Sequence, residues 1–152
     1  MPIITEDQLK IDERYMREAL KQAVLASHKN EVPIGAIIVC DSKIIAKGFN
    51  QTETLNDVTA HAEMIAFTAA ASYLNGKYLR ECTLYVTVEP CVMCAGAAYW
   101  TQIDRIVYGA PDEKRGYHKQ GILLHPKTKI MGGILPEECG KMVSDFFAAK
   151  RK

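Results

Sequence analysis

The chain has little cysteine, little tryptophan and almost no net charge. Five cysteines in 152 residues make an odd and sparse set, which argues against a disulfide framework. A formal net charge of +1 gives no global sign of a polyanion-coating protein. No uncharged apolar run reaches the roughly 18 residues of a membrane-spanning helix. The opening residues lack the basic-then-apolar pattern of a secretory signal. A reducing cytoplasm is therefore the expected compartment, without a membrane partner. Repeats, linkers and low-complexity stretches are also missing. What remains is ordinary for a globular protein, with 48% apolar and 24% charged residues. One domain spanning 1–152 with a full-sized core is expected.

Charge is uneven along the chain. Acids gather early at Glu6, Asp7, Asp12, Glu13 and Glu18, whereas Lys114, Arg115, Lys119, Lys127 and Lys129 follow one another without an acid between them. The chain ends Lys150-Arg151-Lys152. Such stretches are usually solvated loops and tails. Beside a polyanionic substrate they become candidate phosphate contacts.

Two short motifs carry chemistry: His61-Ala62-Glu63 and, some thirty residues later, Pro90-Cys91-Val92-Met93-Cys94. Zinc accepts imidazole nitrogen and thiolate sulfur in a tetrahedron. Cys91 and Cys94, three apart, face one side of a first helical turn. Pro90 suits the helix start, because its missing N–H would be unpaired there. The positive helix end favours thiolate. With His61 as third ligand, the fourth position stays open, as in catalytic zinc sites. Two thiolates offset the ion's charge, so a nearby base is needed, and Glu63 is the free carboxylate. Residues two apart on a regular helix diverge. His61 and Glu63 can therefore converge only near a helix end, for which Thr59 is the expected N-cap. A C-x-x-C alone also fits a redox dithiol. A closed structural zinc site would need a fourth strong ligand, and neither Cys40, Cys82 nor Cys139 has a partner at ligand spacing; all three read as buried core thiols.

Periodicity predicts helices over 7–26, 59–74, 91–100 and 137–150, the last with Met142, Val143, Phe146 and Phe147 on its apolar side. Strands are expected over 34–40 and 43–49, joined by an Asp41-Ser42 turn, and over 82–88 and 103–109. Either 121–124 or 129–131 pairs as an edge strand. This order implies an α/β protein with one mixed sheet of about five strands covered on both faces. Ligand sites in such sheets lie at strand ends.

The H-x-E…P-C-x-x-C pattern is the signature of zinc-dependent nucleobase deaminases. The resemblance extends over nearly the whole chain. Val32-Pro33-Ile34-Gly35-Ala36, Gly48-Phe49-Asn50, Thr59-Ala60-His61-Ala62-Glu63, the run from Leu84 to Ala97, Tyr108-Gly109-Ala110 and the ending from Gly132 through Phe147 resemble bacterial tRNA-specific adenosine deaminases. That resemblance implies a cytidine-deaminase-like three-layer α/β/α sandwich, a homodimer, one Zn2+ per chain and conversion of adenosine to inosine at the wobble position of a tRNA anticodon. It places Asn50, Pro33 and the backbone around Ala62 at the flipped base, and Lys114, Arg115 and Lys119 near the anticodon stem-loop. Bottom-up, Asn50 reads as a turn residue at a strand end.

Ala98-Tyr99-Trp100-Thr101 departs from many members and resembles guanine deaminases. Trp100 is open to three roles: base stacking, dimer packing or core filling. The segment after Gly109 looks shorter than usual and bears on substrate choice. A deaminase of free guanine or cytosine is the nearest rival, and a dead RNA-binding zinc subunit is another, though the latter would lack Glu63. His28, His118 and His125 read as surface residues.

Overall fold

The computed structural model describes residues 4–151. These form α1 (Glu6–His28), β1 (Gly35–Cys40), β2 (Lys43–Phe49), α2 (Ala62–Leu74), β3 (Cys82–Val88), α3 (Val92–Thr101), β4 (Arg105–Ala110), β5 (Lys129–Met131) and α4 (Pro136–Lys150). Lys152 of the basic tail lies outside the described residues.

The five strands make one mixed sheet in the order β2-β1-β3-β4-β5. β1 runs antiparallel to both β2 and β3, whereas β3, β4 and β5 are parallel. Asp41 and Ser42 both adopt positive φ, 53° and 60°. Two such residues give a tight turn whose twist matches the flanking strands. Of the two edge candidates, 129–131 pairs with β4 and 121–124 is irregular. Gly121 sits at φ 70° there and breaks the extended run.

Helices cover both faces. On one, Ala62, Ala66, Phe67 and Ala70 of α2 and Ala98 of α3 pack with Ile38, Leu84, Val86 and Ile106. On the other, Tyr15, Met16 and Ala19 of α1 and Cys139 of α4 pack with Ile37, Val39, Tyr85 and Val107. Alternate residues of β1 thus serve opposite layers, as strand geometry requires. Alanine-rich α2 comes close because β2 presents Gly48. A Cβ built there would lie 2.5 Å from the Ala62 carbonyl oxygen and 3.0 Å from the Ala66 nitrogen.

α1 is locked to the sheet by a buried carboxylate. Asp12 accepts from both terminal nitrogens of Arg105 on β4, at 2.8 and 2.7 Å, from the Tyr85 hydroxyl on β3 at 2.8 Å, and from Gln8 at 3.0 Å. Burial works to raise the pKa of Asp12, but these donors hold it below the ordinary carboxylate value.

One expectation about packing changes, and one of the three readings of Trp100 falls away. Cys82 and Cys139 are buried, but Cys40 is only half-buried, because it ends β1 at the hairpin. Trp100 is 76% exposed and fills no core. It lies on the outer face of α3, edge-on to Tyr99 at 5.7 Å.

Candidate active site

The end of β2, the start of β1 and the end of β3 meet at one end of the sheet, where α2 and α3 both begin. Two helix N-termini therefore converge there, each with unpaired N–H groups and partial positive charge.

Both helix starts differ from expectation. α2 is capped by His61, with extended backbone angles of φ −74° and ψ 156°, and not by Thr59. The Asp57 carboxylate accepts from the Thr59 N–H at 2.8 Å and from its hydroxyl at 2.7 Å, which holds Thr59 in the preceding turn. The extended cap also resolves the spacing problem. His61 stands outside the helical phase, so its imidazole and the Glu63 carboxyl face the same space. α3 is capped by Cys91, with Pro90 two residues earlier than the first helical position, Val92. Pro90 instead lies in the short link between β3 and α3, and its carbonyl accepts from the Tyr117 N–H at 2.8 Å.

The His61 Nδ1 atom lies 3.6 Å from Cys91 Sγ and 3.5 Å from Cys94 Sγ. The ligand atoms of all three residues fall within 4.8 Å of one another. Ideal zinc bonds of about 2.3 Å to sulfur and about 2.05 Å to nitrogen, at the tetrahedral angle, separate S and N by about 3.6 Å. The donor set therefore matches three corners of a zinc tetrahedron in both atom type and spacing.

Proton affinities reflect how closely these groups are packed. A hydrogen bond from Cys94 is the main cause holding Cys91 down to about 4, with His61 assisting. Cys94 is pushed far up by that bond to Cys91, then by burial and by Glu63. His61 is raised, chiefly by its hydrogen bond to Cys91. A Cys91 thiolate is the form that a divalent ion would bind.

Glu63 is buried and is not one of the three grouped ligands. Burial pushes its carboxyl up to about 7, and the Cys91 sulfur adds to the rise against the pull of its own backbone N–H and of His61. A carboxyl balanced near neutrality can accept a proton and return it.

His61, Glu63 and Cys91 line a cavity of about 740 Å³. Asn50, 6% exposed, lines it; its amide donates to the Val32 carbonyl at 3.5 Å, while its Oδ1 is buried without a partner. A buried acceptor without a partner, on a residue that lines a cavity, calls for an N–H or O–H donor. Ala62, first residue of α2, lines the same space. Pro33 does not; it is buried, and its neighbours Val32 and Ile34 face the cavity instead. Arg115 reaches the rim, whereas Lys114 is exposed outside it and Lys119 borders a separate cavity of about 310 Å³ with Glu89 and His118. An Asp112 cap on the 114 and 115 amides turns the loop so that only Arg115 points inward.

Several contributors carry no local signal in the chain. Val143 and Phe147 of α4 line the cavity. Glu89, almost buried, accepts from the Asp112 N–H at 3.0 Å and the His118 N–H at 3.1 Å, so it folds the 112–118 loop over the start of α3. Glu31 does the same for the 52–58 loop. These are long-range contacts, and a lone Glu in sequence does not announce them.

A three-layer sheet with a His/Cys/Cys group and an adjoining buried carboxyl defines the class of zinc hydrolases that deaminate bases. Residues 9–110 match the family model for the cytidine and deoxycytidylate deaminase zinc-binding region. A tRNA-specific adenosine deaminase of Bacillus subtilis is 43% identical over 149 residues, covering 93% of this chain and 91% of that one. A solved structure from work on A-to-I editing by tRNA:A34 deaminases at the wobble position of transfer RNA aligns with a TM-score of 0.78 at 37% identity, over 85% of this chain and 98% of that one. The guanine deaminase of Bacillus subtilis aligns with a TM-score of 0.63 at 36% identity, over 72% of this chain and 67% of that one. The chain belongs to the tRNA-specific adenosine deaminase family, within the cytidine and deoxycytidylate deaminase group.

Proposed function

We propose that this protein hydrolyses the 6-amino group of the wobble adenosine in a tRNA anticodon, giving inosine and ammonia. Zinc, when held by His61, Cys91 and Cys94, lowers the pKa of a water and so supplies the nucleophile. Glu63 would take one proton from the attacking water and deliver it to the adenine ring nitrogen beside the reacting carbon as oxygen bonds to that carbon. Glu63 would then take the remaining hydroxyl proton and give it to the amino group, so that the C–N bond breaks and ammonia leaves. Asn50 offers its free Oδ1 and its amide to the base edge, and the Ala62 N–H at the helix start orients the base. Glu63 is buried, and Val32, Ile34 and Phe147 give the cavity apolar wall beside it. An adenosine stacked in an RNA loop must leave its stack to reach this floor.

The observation that carries the reading is near full-length similarity to tRNA deaminases, 93% and 91% of the two chains, over a site whose acceptor at Asn50 is unpaired. Arg115 at the rim supports a polyanionic substrate. The guanine deaminase of Bacillus subtilis is matched over less of both chains and at a lower TM-score, and a guanine deaminase of Nitrosomonas europaea that aligns at a TM-score of 0.77 does so at 22% identity, so it shares the fold alone. We further propose a homodimer and a cytoplasmic location. Supporting these, no described helix is long and apolar enough to cross a membrane, and Trp100 and Tyr99 present apolar surface on α3.

The test is direct. Zinc-loaded protein is incubated with transcripts of tRNA bearing adenosine at the wobble position, and separately with guanine and cytosine. Inosine in the transcripts, with turnover falling steeply as salt rises, is the expected result. Ammonia from guanine or cytosine with untouched RNA would instead assign a free-base deaminase.

A further inference from the structure

The loop between β2 and α2 forms one wall of the cavity through Thr52, Glu53, Asn56, Asp57 and Val58. Most of this loop is exposed, Val58 by 82%. It buries little apolar area, so packing alone does not fix its shape. Asn56 also holds the left-handed conformation at φ 50°, which a loose loop would relax.

One buried carboxylate reaches into it. Glu31, 1% exposed, follows α1 and is more than twenty residues away in sequence. Its Oε1 accepts from the Glu53 N–H at 3.1 Å, and its Oε2 accepts from both the N–H and the hydroxyl of Thr54 at 2.6 Å. Burial works to raise the pKa of this carboxyl, but the Thr54 and Glu53 donors hold it below the ordinary value. It is therefore ionised at neutral pH, and its partners are amides and a hydroxyl. Charge-assisted bonds to backbone N–H groups are strong and directional. Val32, the next residue, and Ile34, beyond Pro33, line the cavity themselves. Glu31 thus joins two walls that contain no metal ligand between them, yet flank Asn50 and His61.

We propose that Glu31 is a positioning residue: it clamps the 52–58 wall so that the substrate meets a finished cavity rather than a loop it must order. The claim rests on the function proposed above for its substrate, an RNA loop. Losing the clamp moves the ordering cost into binding. The effect then falls on KM and not on the chemistry, since Glu63 and the three ligands are untouched.

The test uses the zinc-loaded full chain and an anticodon stem-loop RNA with a wobble adenosine. Glu31→Ala is expected to raise KM roughly tenfold and to leave kcat within about twofold. Glu31→Gln, which keeps one acceptor oxygen, should fall between Ala and wild type. Thr54→Val should weaken binding in the wild-type background and add little to Glu31→Ala, because both cut the same contact. Amide exchange read over 51–60 should show protection in wild type that Glu31→Ala loses, with zinc still at one per chain. A loss of kcat with unchanged KM, or unchanged exchange in the loop, would overturn the proposal. If the wild-type protein makes no inosine, the function proposed above fails instead, and the exchange measurement still decides whether Glu31 clamps the loop.

Discussion

Replacing Asp12 by Ala should cost more stability than any surface substitution in this chain. Asp12 is fully buried and accepts four hydrogen bonds, from Gln8, Tyr85 and both terminal nitrogens of Arg105. Removing it leaves the Tyr85 hydroxyl without its partner and a guanidinium without its counter-charge. Breaking a buried pair from one side costs about 3–5 kcal/mol. The Arg105 side chain keeps 21% exposure, so water recovers part of its charge solvation. The loss therefore sits near the lower limit, about 3 kcal/mol, or a fall in Tm of roughly 6–12 °C for a chain of this size. The pH dependence has a definite sign. The folded-state pKa of Asp12 lies below its ordinary 3.8, so its contribution is fully present above that value and is lost as pH falls through the folded value. Denaturant melts of wild type and variant at pH 7, 5 and 3 provide the assay. The gap between them should be constant at pH 7 and 5 and shrink at the acid end. A difference under about 1 kcal/mol at pH 7 would refute this account of how α1 is held.

Other consequences concern the site itself. Gly48→Ala would force α2 outward, because its Cβ would press on the Ala62 carbonyl at 2.5 Å. A displacement near 1 Å at His61 and Glu63 should cut kcat on the order of 100-fold, measured beside zinc content; wild-type kcat would show that the helix start tolerates the shift. Cys91→Ser should lose metal, stability and activity together, read by elemental analysis and thermal melts. Retention of one zinc per chain in that variant would remove Cys91 from the ligand set.

Much of the architecture was readable because each element repeats a simple period. The apolar run from Ile34 to Cys40, the Asp41-Ser42 turn and the alternation into Phe49 read directly as a hairpin, and the structure pairs Cys40 with Lys43 across that turn. The metal triad was readable because two ligands sit within four residues at a helix start. Helix boundaries were less so. Thr59 is a good cap by type, but Asp57 captures it, and the cap passes to His61. Pro90 looks like a first-turn residue yet lies in the link between β3 and α3, ahead of the Cys91 cap. The segment after Ala110 has no period at all; its shape comes from Glu89 and Asp112 capturing backbone amides. Trp100 was open to three readings, and only its exposure removes core filling. Glu31 and Glu89 were invisible for one reason: their partners lie more than twenty residues away.

The sharpest measurement concerns Glu63→Gln, a change that keeps size and removes the proton-carrying group. Zinc content and inosine formation are read on the same sample of variant and wild type. The account predicts one zinc per chain in both and a fall in turnover of about 10²–10⁴-fold or more in the variant. Turnover within about tenfold of wild type, or loss of the zinc along with the carboxylate, would contradict the central claim that this buried acid moves protons beside the ion without binding it.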